Sequence, residues 1–164
     1  EISDRAWDEM IGVNLTGVWR TAKAVTPHLI ERGAGSIVLI ASVKSLEPGP
    51  GYAHYVAAKH GVIGLMRNIA AELSPYGVRC NAICPGPIKT PMTTRWGVGE
   101  SEHANAAPDD DPTPPDGYSF PELRDMGLLP AEVISNAALY LNSPLAAAVT
   151  GVVLPVDTGR LLHT

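Results

Sequence analysis

Disulfide chemistry has almost nothing to work with in this chain, because only Cys80 and Cys84 among its 164 residues are cysteines. They stand in "VRCNAIC", an alternating run in which residues four apart face the same way along an extended strand but lie too far apart to bridge. Two reduced, half-buried thiols in a cytoplasmic protein are the expectation. Zinc is excluded on similar grounds, since His28, His54, His60, His103 and His163 do not fall at ligand spacings. Basic clusters are missing too. The chain has 12 Lys plus Arg against 17 Asp plus Glu, a net charge of -5 and a pI near 5.4, so it carries no electrostatic footprint for nucleic acid or an anionic membrane surface. No apolar run reaches the length of a membrane span, and no leader-like pattern opens the chain. It begins at Glu1, in mid-pattern and without Met, so sequence upstream is expected.

What is present reads as one soluble α/β domain, and a chain of this length buries roughly 68–70% of its unfolded surface. Ser3 is placed to cap a long amphipathic helix in which Trp7, Ile11, Leu15, Val18, Ala22, Val25 and Leu29 recur at three- and four-residue steps, with a bend expected near Asn14 and Gly17. "SIVLIAS" at 36–42 is a continuous apolar, β-branched run, the pattern of a strand covered on both faces. A Gly- and Pro-rich turn precedes a second long helix at 52–74, apolar nearly all round, for which a neighbouring subunit is expected. "PYGVRCNAICPG" then supplies turn, strand and turn, "PAEVISNAALYLNS" a third helix, and "TGVVLPVDTG" a last strand. Alternating strands and helices imply right-handed crossovers and a parallel sheet. The segment at about 92–130 is Pro-rich, acidic and without periodicity, and is either a lid over a site or a solvated insertion.

Four residue positions carry candidate chemistry. Tyr55 and Lys59 are one helical turn apart, so an ammonium can stand beside a phenol and favour its ionised form, which suits a general acid or base. The pair alone also fits an exposed Lys beside an interface Tyr. Ser42 closes the first strand, thirteen residues before Tyr55, at the sheet end where open α/β folds bind ligands; a turn or cap role suits it equally. Asn14 is a poor helix former in the middle of a helical segment, which marks either a functional amide or one satisfied by a nearby carbonyl. "CPGPIKTPM" turns the chain sharply at Pro85, Gly86 and Pro87, presenting the backbone of Ile88 and the hydroxyl of Thr90 to a ligand, though a rigid turn would have the same composition.

Taken together, residues 14, 42, 55 and 59, "PGPIKT" at 85–90 and "TGVVLPVDTG" at 150–159 resemble the carboxyl-terminal part of a short-chain dehydrogenase/reductase across essentially the whole chain. The resemblance implies a Rossmann-like doubly wound parallel sheet. It implies Tyr55 as acid/base, Ser42 as the group that orients and polarises the substrate oxygen, and Lys59 on the nicotinamide ribose, lowering the Tyr55 pKa. Asn14 would hold a water behind Lys59, and Ile88 and Thr90, beside Pro85 and Gly86, would meet the nicotinamide. The cofactor implied is NAD, with NADP not excluded. A narrower likeness, carried by "DEMIGVNLTGVWRTAKAVTPHLIERGAGSIVLIASV", "HYVAAKHGVIGLMRNIAAEL" and the insertion before "LLPAEVISNAALYL", is to the mycofactocin-associated group that includes carveol dehydrogenases. That group implies tightly held NAD, the insertion as a lid, and apolar secondary alcohols or their ketones as substrates. Dimers or tetramers are the family's habit.

The family's glycine-rich TGxxxGxG turn and NNAG-like stretch are not found here, and neither is the residue that selects between NAD and NADP. The expectation is therefore a fragment at 1–164 holding about three strands and their helices, with the nucleotide-binding strands missing, poor NAD binding in isolation and a tendency to aggregate through the uncovered first strand. Smaller departures are "IAS" in place of two serines and Lys44 soon after Ser42. Two other readings stand beside this one: an ordinary dehydrogenase with exchangeable NAD(P), and a non-catalytic remnant whose long helices serve only to oligomerise.

Overall fold

The computed structural model describes residues 1–91 and 128–163. Its first helix, α1 (Asp4–Ile11), starts where expected: Ser3 Oγ accepts the Ala6 N–H at 3.3 Å, which satisfies one of the amides a helix start leaves unpaired. The anticipated bend is a π-helical turn, Gly12–Thr16, with α2 (Gly17–Arg32) continuing beyond it. A single inserted residue widens the helix there, a device common at functional sites. Gly33, at φ 66°, ends α2 in the left-handed conformation.

Three strands follow, β1 (Gly35–Ile40), β2 (Val78–Pro85) and β3 (Val153–Val156), joined by α3 (Ala53–Leu73) and α4 (Glu132–Asn142). They form a parallel sheet in the order β1-β2-β3, with Gly35 opposite Val78 at one end of the first pair and Ile40 opposite Ile83 at the other. Ala82 pairs with Val153 and Pro85 with Val156 in the second. The α/β class and parallel topology match the sequence expectation, with most element ends shifted by one or two residues and the last strand, read from 150–159, three residues shorter at each end. Parallel strands demand a crossover, and both crossovers here carry a helix.

The core lies between α3 and the sheet. Met66 and Val62 are fully buried, packed with Ile37, Leu39, Cys80, Ala82 and Cys84. By strand alternation Asn81 and Ile83 point to the other face, where α4 packs on β1 and β2. This arrangement corrects the expectation of half-buried thiols: Cys80 and Cys84 are both fully buried. The alternation of "VRCNAIC" suggests one wet face, but β2 is the middle strand and has a helix on each side. Burial pushes the Cys80 thiol up to about 12. By contrast β1 borders the described sheet, and Ile40 at its end is 45% exposed.

Two close approaches position the site. A Cβ on Gly61 of α3 would lie 2.8 Å from Leu15 Cδ2, so glycine lets the π turn settle onto α3. A Cβ on Gly86, just past β2, would lie 2.9 Å from Asp157 Cα, so the turn after β2 sits directly on the turn after β3. Among the described residues, no helix is long and apolar enough to cross a membrane, and no group of three or more His, Cys, Asp or Glu is arranged to hold a metal. The acidic insertion expected at about 92–130 falls mostly at 92–127, outside the described residues. Its downstream stem returns to the fold, where Leu129 bridges Ile88 in parallel.

Truncating Met66 to Ala removes a fully buried side chain from the α3–sheet contact and is expected to cost about 2–5 kcal/mol of stability. Asn68→Ala, on the exposed side of the same helix, is expected to stay within about 0.5 kcal/mol. Urea unfolding midpoints of the two variants check both values.

Candidate active site

The sheet's carboxyl end gathers most of the candidate residues. Beyond Ile40, the Ala41 N–H still reaches the Ile83 carbonyl at 2.8 Å, so the chain leaves β1 in register and delivers Ser42 in an extended conformation. Ser42 then caps a short 3-10 turn, Val43–Ser45: its Oγ accepts the Lys44 N–H at 3.2 Å, while its own N–H donates to Ser45 Oγ at 3.2 Å. Cap and catalytic donor are thus compatible roles, because the cap uses the oxygen's lone pair and leaves the hydroxyl proton for another oxygen. Cys84, near the carboxyl end of β2, has its thiol pKa raised by burial, opposed in part by the Ser42 backbone and the Ser45 side chain.

Tyr55 is half-buried in the first turn of α3, with Lys59 one turn further on. The Lys59 Nζ stands 5.6 Å from the centre of the Tyr55 ring and donates to the Ile40 carbonyl at 3.1 Å. That hydrogen bond crosses from helix to strand end and sets the ammonium between the phenol and the segment bearing Ser42. Desolvation lowers the Lys59 pKa from its ordinary 10.5, with a small opposing influence from Cys84.

Asn14 lies inside the π turn that packs on α3. Its Nδ2 donates within its own helix, to the Met10 carbonyl at 3.4 Å and the Met10 sulfur at 3.0 Å, and makes no direct hydrogen bond to Lys59. At the far side of the sheet end, Pro85 closes β2 opposite Val156, and the Gly86 N–H donates to the Val156 carbonyl at 2.9 Å. In the bridge at Ile88 the hydrogen bonds are made by its neighbours: the Leu129 N–H donates to Pro87 O at 2.9 Å, and the Lys89 N–H to Leu129 O at 2.7 Å. Thr90 follows, half-buried.

Sequence reasoning missed two features of this face. Asp157, buried at the end of β3, accepts the Gly159 N–H on Oδ1 and the Leu161 N–H on Oδ2, both at 3.0 Å, which folds the last residues into a closed turn against Gly86. The "VDTG" spacing is a legible signal for such an Asx turn. Glu47 is buried in the loop after Ser42 although a charged residue in a Gly- and Pro-rich stretch reads as solvated.

The donor set fits the nicotinamide-ribose half of a dinucleotide: an ammonium, a phenol, a hydroxyl and a rigid backbone turn share one sheet end. Comparison with known proteins places the chain in a family. A family model described as enoyl-(acyl carrier protein) reductase matches residues 1–160. A short-chain type dehydrogenase/reductase of Mycolicibacterium smegmatis is 42% identical over 164 residues, covering 98% of this chain and 58% of that protein. The (-)-trans-carveol dehydrogenase of Rhodococcus erythropolis is 42% identical over 168 residues, covering 99% and 59%. The crystal structure of carveol dehydrogenase from Mycobacterium avium in complex with NAD superposes with a TM-score of 0.81 at 42% identity, again covering 99% of this chain and 59% of the other. The chain thus spans under three fifths of the length of these relatives.

The partial burial of the Lys59 ammonium has a consequence for stability. With the folded pKa of Lys59 below 10.5, the unfolded state binds more protons in the interval between the two values. Burying the charge therefore destabilises the fold below the lowered pKa, and this penalty fades as pH rises through it towards 10.5. Relative to Lys59→Met, the native chain is expected to gain stability as pH is raised across that window, as read from urea unfolding of both proteins at neutral and alkaline pH.

Proposed function

Because the chain belongs to the short-chain dehydrogenase/reductase family, within its carveol dehydrogenase-like part, we propose that the protein it comes from is an NAD-dependent oxidoreductase interconverting an apolar secondary alcohol and its ketone. The observation that carries this reading is the placement of Tyr55 and Lys59 by the Lys59–Ile40 bond, at the strand end that also delivers Ser42. NAD, when bound, supplies the hydride acceptor or donor. The chain's residues handle everything else. In the alcohol-to-ketone direction the Tyr55 phenol oxygen, in its ionised form, takes the substrate hydroxyl proton, and in the reverse direction it returns one. The Ser42 hydroxyl donates to the substrate oxygen, fixed in direction by its cap to Lys44. The Lys59 ammonium is placed to offset charge on the phenol oxygen and to hydrogen-bond a ribose hydroxyl. Asn14, in the π turn, is the candidate to hold a water behind Lys59. Pro85, Gly86, Ile88 and Thr90 form the wall that meets the nicotinamide.

NAD is favoured over NADP because the 42% identical carveol dehydrogenase structure holds it, whereas the neighbours that hold NADP are less similar, at 28–32% identity, and the likeness to carveol dehydrogenases favours a terpenol-like substrate. A homodimer or homotetramer is supported by Trp7, Val13 and Trp19, which remain exposed on the outer helices. The two free, buried thiols suit a cytoplasmic setting.

Tyr55→Phe in the full encoded polypeptide is expected to keep fold and bound NAD while lowering turnover of a carveol-type alcohol by about 10²–10⁴, followed by nicotinamide absorbance. Undiminished turnover would sink the mechanism. Extensive dialysis of the wild type, followed by release of nicotinamide on denaturation, tests whether the cofactor exchanges.

A further inference from the structure

Glu47 is 5% exposed, and a carboxylate so buried is tolerated only when it is paired. Its partners come from two distant parts of the chain. Lys44 Nζ lies 2.7 Å from Glu47 Oε1, and Arg160 Nε lies 3.4 Å from the same oxygen, both as ion pairs without hydrogen-bond alignment. Each partner has a second attachment. The Lys44 ammonium also donates to the Pro48 carbonyl at 3.0 Å, and the Lys44 backbone N–H is the one that caps Ser42 Oγ at 3.2 Å. Arg160 opens the last 3-10 turn, Arg160–His163, which Asp157 closes through the Gly159 and Leu161 amides. Asp157 in turn packs on Gly86. A continuous chain of contacts therefore runs from the cofactor-side turn at Gly86, through Asp157 and Arg160, to Glu47, Lys44 and the oxygen of Ser42.

We infer that Glu47 is a positioning residue: paired with Lys44 and Arg160, its carboxylate clasps the carboxyl-terminal turn to the Ser42 loop and so fixes the substrate hydroxyl donor relative to the cofactor-side wall. This deepens the dehydrogenase reading above and rests on it. The Glu47–Arg160 ion pair joins two segments far apart in the chain, the Ser42 loop and the terminal turn. Glu47 is the buried member of the set, so removing either partly exposed cation, Lys44 or Arg160, leaves its carboxylate less compensated. Glu47 touches no reacting atom in this scheme, and its effect reaches the chemistry through Lys44 and Ser42.

The test is a double-mutant cycle in the full encoded polypeptide with Glu47→Gln and Arg160→Met, read by steady-state kinetics, NAD affinity and amide hydrogen exchange. Glu47→Gln is expected to lower kcat for the alcohol about tenfold with NAD affinity unchanged, Glu47→Asp to recover part of the loss, and the double variant to lose less than the product of the single losses. Exchange at Leu161 and Leu162 is expected to accelerate in both single variants. Strictly multiplicative losses, or unchanged exchange in both variants, would overturn the clasp. A wild type that turns over no alcohol but shows the exchange effect would remove the dehydrogenase reading and leave the clasp as a structural tether only, which also overturns its positioning role.

Discussion

The hydrogen bond from the Lys59 ammonium to the Ile40 carbonyl, 3.1 Å long, is the contact on which the site depends. It spans the crossover between β1 and α3 and fixes how far along the strand the helix sits. Slide α3 by one residue and Tyr55 leaves the strand end, while Lys59 loses the acceptor that compensates its desolvation. The apolar contacts of Val62 and Met66 hold the helix against the sheet, but they are non-directional. One charge-assisted bond therefore supplies the register that a greasy interface leaves loose.

Around that contact the structure builds a small rigid frame. Ser42 is locked by reciprocal bonds with the turn it opens. On the other side, Gly86 and Asp157 pack without space for a β-carbon. The largely buried middle strand β2 ends between these two features, with Pro85 leading into the second. This explains why its thiols behave as core atoms. Side chains on a strand covered on both faces serve as fixed supports for the groups above them.

Much of this was legible in the residues. The three- and four-residue apolar steps of α1 and α2 and the β-branched run at β1 report burial directly, because each element must hide one face regardless of its neighbours. The spacing of Ser42, Tyr55 and Lys59 was equally readable, since helix pitch alone puts the last two on one face. The π turn was readable only as an anomaly at Asn14; the widened register forms where Leu15 meets Gly61 on another helix, which no local pattern encodes. The burial of Cys80 and Cys84 was misjudged because alternation cannot say whether a strand's second face is covered.

Local spacing and composition thus determined the secondary elements, the parallel α/β class and the one-turn spacing of Tyr55 and Lys59, all of which follow from periodicity within helices and strands and from their alternation. Tertiary structure alone decided that β2 is central, that Ser42 can be cap and donor together, and that Glu47 meets Arg160. Those outcomes depend on which surfaces come together across long separations in the chain, and electrostatic partners so far apart leave no periodic trace in either segment.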